Sequence, residues 1–426
     1  MYRSGTRLFA GGCALGAALA LAVACSGGAV DASATQFASQ NSLAAISCAP
    51  DADCMAVGQI ASGANELPLA EALRDGAWVA LPVAAVGRSS QLLGVSCVSA
   101  VFCIAVGDEQ NGGALSEIWR GRRWSREAVR SSPRASTLES ISCVATRFCV
   151  AVGATAQGQP LIELWNGRKW SRMTSPGSSG GNGAPLHGVS CASRYNCVAV
   201  GTAFSGDGQS ARVERYDDGG WHAVSTHVTG ETPTLTSVSC PAAGWCIAAG
   251  TVQAAGANTT TPLALEIGGG EVSELTVAAA PTAGFSGISC PQVDSCVAVG
   301  DVEASEQPSE GGTGSTGVST GSTGVSAGST GASTGSTGAS GGSTGAAGAT
   351  ALAPFAESLS GGLWQFLIPA SEGSSDTLGG GVSCATSSSC HAVGYYVATG
   401  SGHISASADQ LVGSAWTTLP TPTNPR

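Results

Sequence analysis

The chain has 426 residues, only 11% of them charged, and a formal net charge of −11 at pH 7. This length suits one large ring or several smaller domains. Eighteen Lys and Arg face 29 Asp and Glu, with Lys169 the one lysine, so no basic patch is evident to track phosphates and a nucleic-acid partner is not expected.

Residues 1–24 read as an export leader. Arg3 and Arg7 supply the charged start, residues 8–24 are apolar, and Ala22-Val23-Ala24 is a small-residue cleavage pattern. The apolar run is short for a membrane span, and no second run is long enough. Cys25 comes next, and LAVAC resembles a bacterial lipobox, which would lipidate Cys25. Ala22 departs from the leucine usual in such boxes, so ordinary secretion stands as the alternative. Residues 25–42 are expected to form a flexible tether.

From residue 43 the chain repeats itself. AISCAPDADCMAVG carries Cys48 and Cys54, and GVSCVSAVFCIAVG carries Cys97 and Cys103. Further copies carry Cys143 and Cys149, Cys191 and Cys197, Cys240 and Cys246, Cys290 and Cys296, and Cys384 and Cys390. First cysteines recur every 46 to 50 residues, with a gap of 94 before the last copy. Each period also holds an acid seven residues before a tryptophan. The acids are Glu71, Glu117, Glu163, Glu214, Glu357 and Asp409; the fifth copy keeps Glu266 but lacks the tryptophan.

A period near 48 residues fits four short strands. L-x-x-[IV]-S-C forms the first, C-x-A-V-G the second, the acid lies on the third, and the tryptophan opens the fourth. Seven such units predict an all-β, seven-bladed β-propeller over residues 43–426. An open solenoid is the alternative, but neither end resembles a polar cap. Blades taper toward the axis, so the small residues of strand one place it innermost and the tryptophans outermost.

Each repeated acid shares a strand face with apolar neighbours and is expected to be buried. Burying it unpaired is costly. Backbone N–H groups or the serine of S-C are the expected donors. Residues 305–350, rich in Gly, Ser, Thr and Ala, cannot bury a core and form a disordered insert between strands two and three of blade six. Flexible spacing is the main reading, and O-linked glycosylation the other.

Sixteen cysteines are seven pairs plus Cys13, in the leader, and Cys25. One disulfide per blade, clipping strand one to strand two, suits an exported protein. Two sulfurs per copy fall short of a tetrahedral zinc site, and seven redox centres at this spacing would be unusual. No metal or other cofactor is expected. His391, on strand two of the last copy, reads as a packed residue.

Loop lengths distinguish two ends of the ring. The connections one-to-two and three-to-four are nearly constant. The two-to-three and inter-blade connections share the other end and vary, which makes that end the candidate binding surface. Asp108, Glu109, Asn111, His187, Asp207 and Asp301 are its candidate contacts, against the plain reading of solvated loop residues. On the constant end, Phe102, Phe148 and Trp245 precede second cysteines. They stack on a ligand or, in the favoured reading, cover blade edges.

The chain resembles secreted repeat proteins common in actinobacteria, with [VI]-S-C-x(5)-C-x-A-V-G, E-x-W-N-G-x-x-W and a Pro-rich tail. Residues 189–201, Glu163 to Trp170 and WTTLPTPTNP carry the match. The resemblance implies a repeat architecture and no particular reaction. No S-x-D-x-G-x-x-W box, G-x-S-x-G elbow or phosphate-binding lysine loop is present. Paired glycosidase carboxylates need one shared cleft, which symmetric acids in separate blades do not suggest. The leading expectation is an exported, membrane-anchored or secreted, monomeric, non-enzymatic scaffold for an envelope protein or glycan. A secreted carbohydrate-active enzyme using the propeller mouth is second, and a structural surface protein without ligand third.

Overall fold

The computed structural model describes residues 40–49, 54–84, 89–110, 113–176, 183–206, 208–253, 256, 259–278, 282–303 and 351–422. The leader, Cys25, most of the tether, the insert, Asn111 and Asp207 lie outside the described residues. Those described contain strands and no helix.

Seven antiparallel sheets follow one another along the chain. Blade three shows the pattern: Thr137–Ala145, Phe148–Ala154, Pro160–Trp165 and Trp170–Met173, paired in sequence order. In blade seven the inner strand is split into Ser375–Thr377 and Val382–Thr386. First strands pack on the first strands of both neighbouring blades, which puts them around the axis. The insert leaves the ladder whole, because Glu303 pairs directly with Leu352.

Apolar burial explains why blades assemble. Each core cluster spans two adjacent blades. One joins Ile104 and Phe102 of blade two to Leu138 and Trp165 of blade three. Another joins Leu43 and Trp78 of blade one to Val393 and Ala408 of blade seven, which closes the ring. Six outer tryptophans (Trp78, Trp124, Trp170, Trp221, Trp364 and Trp416) are buried. In blade five Val272 pairs with Ile267, where blade four pairs Trp221 with Tyr216.

The disulfides are formed, one per blade, each joining strand one to strand two. A loop this short contributes about 2 kcal/mol per bond in the chain-entropy model.

The serine of S-C does something other than expected. It does not reach the acid of its own blade. Ser47 Oγ accepts the N–H of Cys97 in the next blade at 3.0 Å. Ser96, Ser142, Ser190, Ser239 and Ser289 repeat this with Cys143, Cys191, Cys240, Cys290 and Cys384. Ser383 then accepts from Cys48 at 3.0 Å, completing the circle. The reason is geometric: inner strands of neighbouring blades leave N–H groups facing one another's side chains, and a buried N–H needs an acceptor. At the same seam, Asn41 Oδ1 accepts the N–H of Ala406 at 3.1 Å and ties the first described strand to blade seven.

The glycine of C-x-A-V-G is also explained. A Cβ on Gly153 would stand 2.1 Å from the carbonyl oxygen of Thr137, and one on Gly107 would stand 2.0 Å from that of Gln91. Strand one bulges opposite each such glycine, and only a bare Cα tolerates that approach.

Candidate functional site

The bulge sets the candidate site. In blade three, Leu138 pairs with Gly153 and Ser140 with Val152, so Glu139 between them has no partner. His187, Leu93, Ala44, Thr236 and Ser286 are skipped in the same way in blades four, two, one, five and six. Gly379 takes the place in blade seven. All seven line an axial cavity of about 260 Å³. Each lies on the half of strand one remote from the disulfide, toward the variable end.

In blades one to six the flanking residues keep one pattern, L or F, then x, then a small residue, then I or V, S and C, and blade seven has one more glycine. Only x changes class from blade to blade. A framework of near-identical repeats therefore presents a carboxylate, an imidazole, two hydroxyls, two apolar side chains and a glycine to one cavity.

Two of them interact. His187 Nδ1 lies 2.7 Å from Glu139 Oε2, with both side chains partly exposed. Asp108 stands close enough for the Glu139 charge to act on it. Burial pushes the Asp108 carboxyl up, a hydrogen bond with the Gln91 side chain opposes this, and Glu139 raises it further. Across the ring, burial pushes Asp301 up to about 7, against the N–H of Leu378. Asp301 in turn helps burial raise Tyr395. Asp108, Asp301 and Tyr395 hold one repeat position, directly after the C-x-A-V-G glycine.

The structure thus sets His187 beside Glu139, which the motif reading passed over, and leaves Asp108 within reach of the Glu139 charge. The signal for Glu139 was available: x is the variable position inside an otherwise fixed strand, and it is polar in blades three to six. Asp301 lies with Gly379 on the opposite wall. Glu109 points elsewhere and pairs with Arg126. Phe102 is 8% exposed in the core between blades two and three, and Phe148 and Trp245 are half-buried against neighbouring cores.

The repeated acids are structural in placement. Glu71, Glu117, Glu163, Glu214 and Glu357 are completely buried, Asp409 nearly so, and Glu266 partly exposed. Their donors come from the segment that enters the blade. Ser131 and Ser132 bond Glu163, the latter at 2.9 Å. Ser175 bonds Glu214 at 2.7 Å, joined by Arg212. Ala278 N–H reaches Glu357 at 3.3 Å. Among the described residues, neither oxygen of Glu71 or of Glu117 has a hydrogen-bond partner. Burial pushes Glu71 and Glu357 up to about 8 and Glu117 up to about 7. These acids sit apart, one per blade, and share no cleft.

His391 Nδ1 lies 3.7 Å from Cys54 Sγ and 3.9 Å from Cys48 Sγ. Both sulfurs are committed to the disulfide, so the trio is a packing contact, and burial lowers the imidazole. The expectation that the chain has no basic patch does need correction. The fold gathers arginines from blades two to four onto one end, a grouping the overall negative charge conceals.

No known protein family and no curated protein matches the chain. A solved structure of YCF48 bound to D1 peptide is similar over 88% of this chain and 92% of its own, at 10% identity and a TM-score of 0.47. One of Kuenenia stuttgartiensis hydrazine synthase is similar over 75% and 76%, at 8% identity and a TM-score of 0.45. Identity at this level says nothing of a shared ligand. What the chain's own strands define is the class: a disulfide-clipped, seven-bladed β-propeller.

Proposed function

We propose that this protein is an exported, non-enzymatic binding scaffold of the cell envelope, taking a protein or glycan group at the axial cavity from the variable end. One observation carries the reading: the repeats diverge at the bulged residue that lines the cavity and hold constant around it. Rigid scaffolds present specificity in this way. Glu139, His187, Thr236 and Ser286 supply charge and hydroxyl groups, while Ala44 and Leu93 supply an apolar wall. Export rests on the leader and on seven disulfides, which persist in oxidising compartments. Attachment through Cys25 rests on the lipobox resemblance.

A hydrolytic reading would place its acid-base pair at Glu139 and His187, where proton-carrying groups of two blades meet in the cavity. The neighbouring Ser140 hydroxyl already accepts the N–H of Val189 at 3.3 Å. The test incubates the full mature chain with fragmented envelope glycans and with envelope proteins, and records both retention and the mass of soluble products. Retention that His187→Ala abolishes, without product, supports the scaffold. New soluble product overturns it in favour of the enzyme. Retention unaffected by His187→Ala removes the cavity from the reading.

A further inference from the structure

The disulfide end of the ring is built from two tight connections per blade: the loop between the cysteines and the turn between strands three and four. On blades two and three these carry Arg120, Arg122, Arg123, Arg147, Arg168 and Lys169, and blade four adds Arg194. All are exposed. The connections of blades two and three contain no Asp or Glu. Blade four has Asp217 and Asp218, and Asp217 is held by Arg215 at 2.6 Å. Among the described residues none of the seven cations forms an ion pair. The same connections on blades five, six and seven contain no cation.

Packing concentrates the arc. The tip of the cysteine loop rests on the outer turn of its own blade. In blade three a Cβ on Gly167 would meet Arg147 Cγ at 2.7 Å, so Arg147 lies over the turn that bears Arg168 and Lys169. In blade two Val101 takes that place over Gly121, beside Arg120 and Arg122. In blade four Tyr195 is at the tip, 62% exposed, with the Arg194 guanidinium 4.5 Å from its ring centre.

Seven unpaired cations on one arc of a net-acidic protein repel one another and create a local field of opposite sign to the whole. Six are arginines, whose planar forks match carboxylate and phosphate oxygens. The end is made of turns, so it offers no strand edge for an added peptide strand. Its exposed large apolar groups on these blades are Val101 and Tyr195, too few for the buried anchor cluster of a protein interface. An aromatic plane beside guanidinium forks does fit a sugar ring that carries a carboxylate.

We propose that the disulfide end of blades two to four binds an acidic, carboxylate-bearing polysaccharide. This surface is separate from the axial cavity, whose lining includes none of these cations.

The test measures retention of the full mature chain on immobilised polygalacturonate, with dextran, polyglutamate and polyphosphate as parallel probes. Polygalacturonate is expected to retain the protein at low salt and to release it as salt screens the charges. The triple variant Arg147→Gln, Arg168→Gln, Arg194→Gln is expected to lose about tenfold or more in affinity, since three charge contacts each contribute a few-fold. These side chains are exposed, so its melting temperature should match the parent and exclude misfolding as the cause. His187→Ala should leave this retention unchanged, which separates the arc from the cavity. No retention on polygalacturonate, equal retention on dextran, stronger retention on polyglutamate or polyphosphate, or an unaffected triple variant would each overturn the assignment.

Discussion

Glu71 gives the sharpest prediction, because its substitution should stabilise the protein in one pH range and be neutral in another. The side chain is fully buried, neither oxygen has a partner among the described residues, and burial pushes its pKa from 4.5 to about 8. Between those values the folded chain holds a proton that the unfolded chain has released. Stability then falls as pH rises through the window, by about 1.4 kcal/mol per pH unit for one such group. Over the whole window this amounts to at most about 5 kcal/mol. Glu71→Gln replaces a neutral acid by a neutral amide of the same shape. Its stability should stay within about 1 kcal/mol of the parent at pH 5. At pH 8.5 it should exceed the parent by about 2 to 5 kcal/mol. Denaturant titrations followed by tryptophan fluorescence at pH 5, 7 and 8.5 measure both. Glu117, Glu357 and Asp301, raised by burial to about 7 or 8, should steepen the parent's decline and persist in the variant. A parent whose stability is flat or rises from pH 5 to 8.5 would refute the reasoning. So would a variant no more stable than the parent at pH 8.5.

Glu163→Gln should behave oppositely at neutral pH and lower stability by about 1 to 2 kcal/mol, because Ser131 and Ser132 bond its carboxyl group; an unchanged melting temperature would remove that role. Ser142→Ala leaves the N–H of Cys191 without its acceptor and should cost about 1 to 3 kcal/mol in a chemical denaturation series. Gly153→Ala forces the bulge of blade three apart and should cost about 3 kcal/mol or more, seen as a large drop in melting temperature or in soluble yield. Reduction should lower the melting temperature markedly, with about 2 kcal/mol at stake per clip, and mass spectrometry after alkylation should count the cysteines released.

Much of the architecture was legible because every blade must solve the same burial problem with the same residues. The spacing of Cys143 and Cys149 implies a hairpin clip, and the seven-residue step from Glu163 to Trp170 implies a turn between two outer strands. Interactions between blades were not legible in this way. Ser142 and Cys191 are 49 residues apart, and nothing local says that one blade's hydroxyl serves the next blade's backbone. The donors to the buried acids were missed for the same reason: Ser131 and Ser132 lie in a connection whose path depends on two blades.

The candidate site divides along the same line. His187 and Asp108 stood out as polar residues near variable connections, but Glu139 looked like one more polar position in a strand. Its role depends on the bulge at Leu138 and Ser140, which turns it toward the axis, and on blade four setting His187 beside it. The cationic arc depends on three blades presenting turns to one end, while the charge sum over the whole chain hides it. By itself the sequence determined the repeat, the strand order, the disulfide pairs and the insertion point, since these follow from periodicity and from contacts within one unit. Ring closure, the serine circle, the Glu139–His187 pair and the gathering of cations on one end were decided by tertiary structure alone. They are contacts between units, and their geometry exists only once seven blades have packed around one axis.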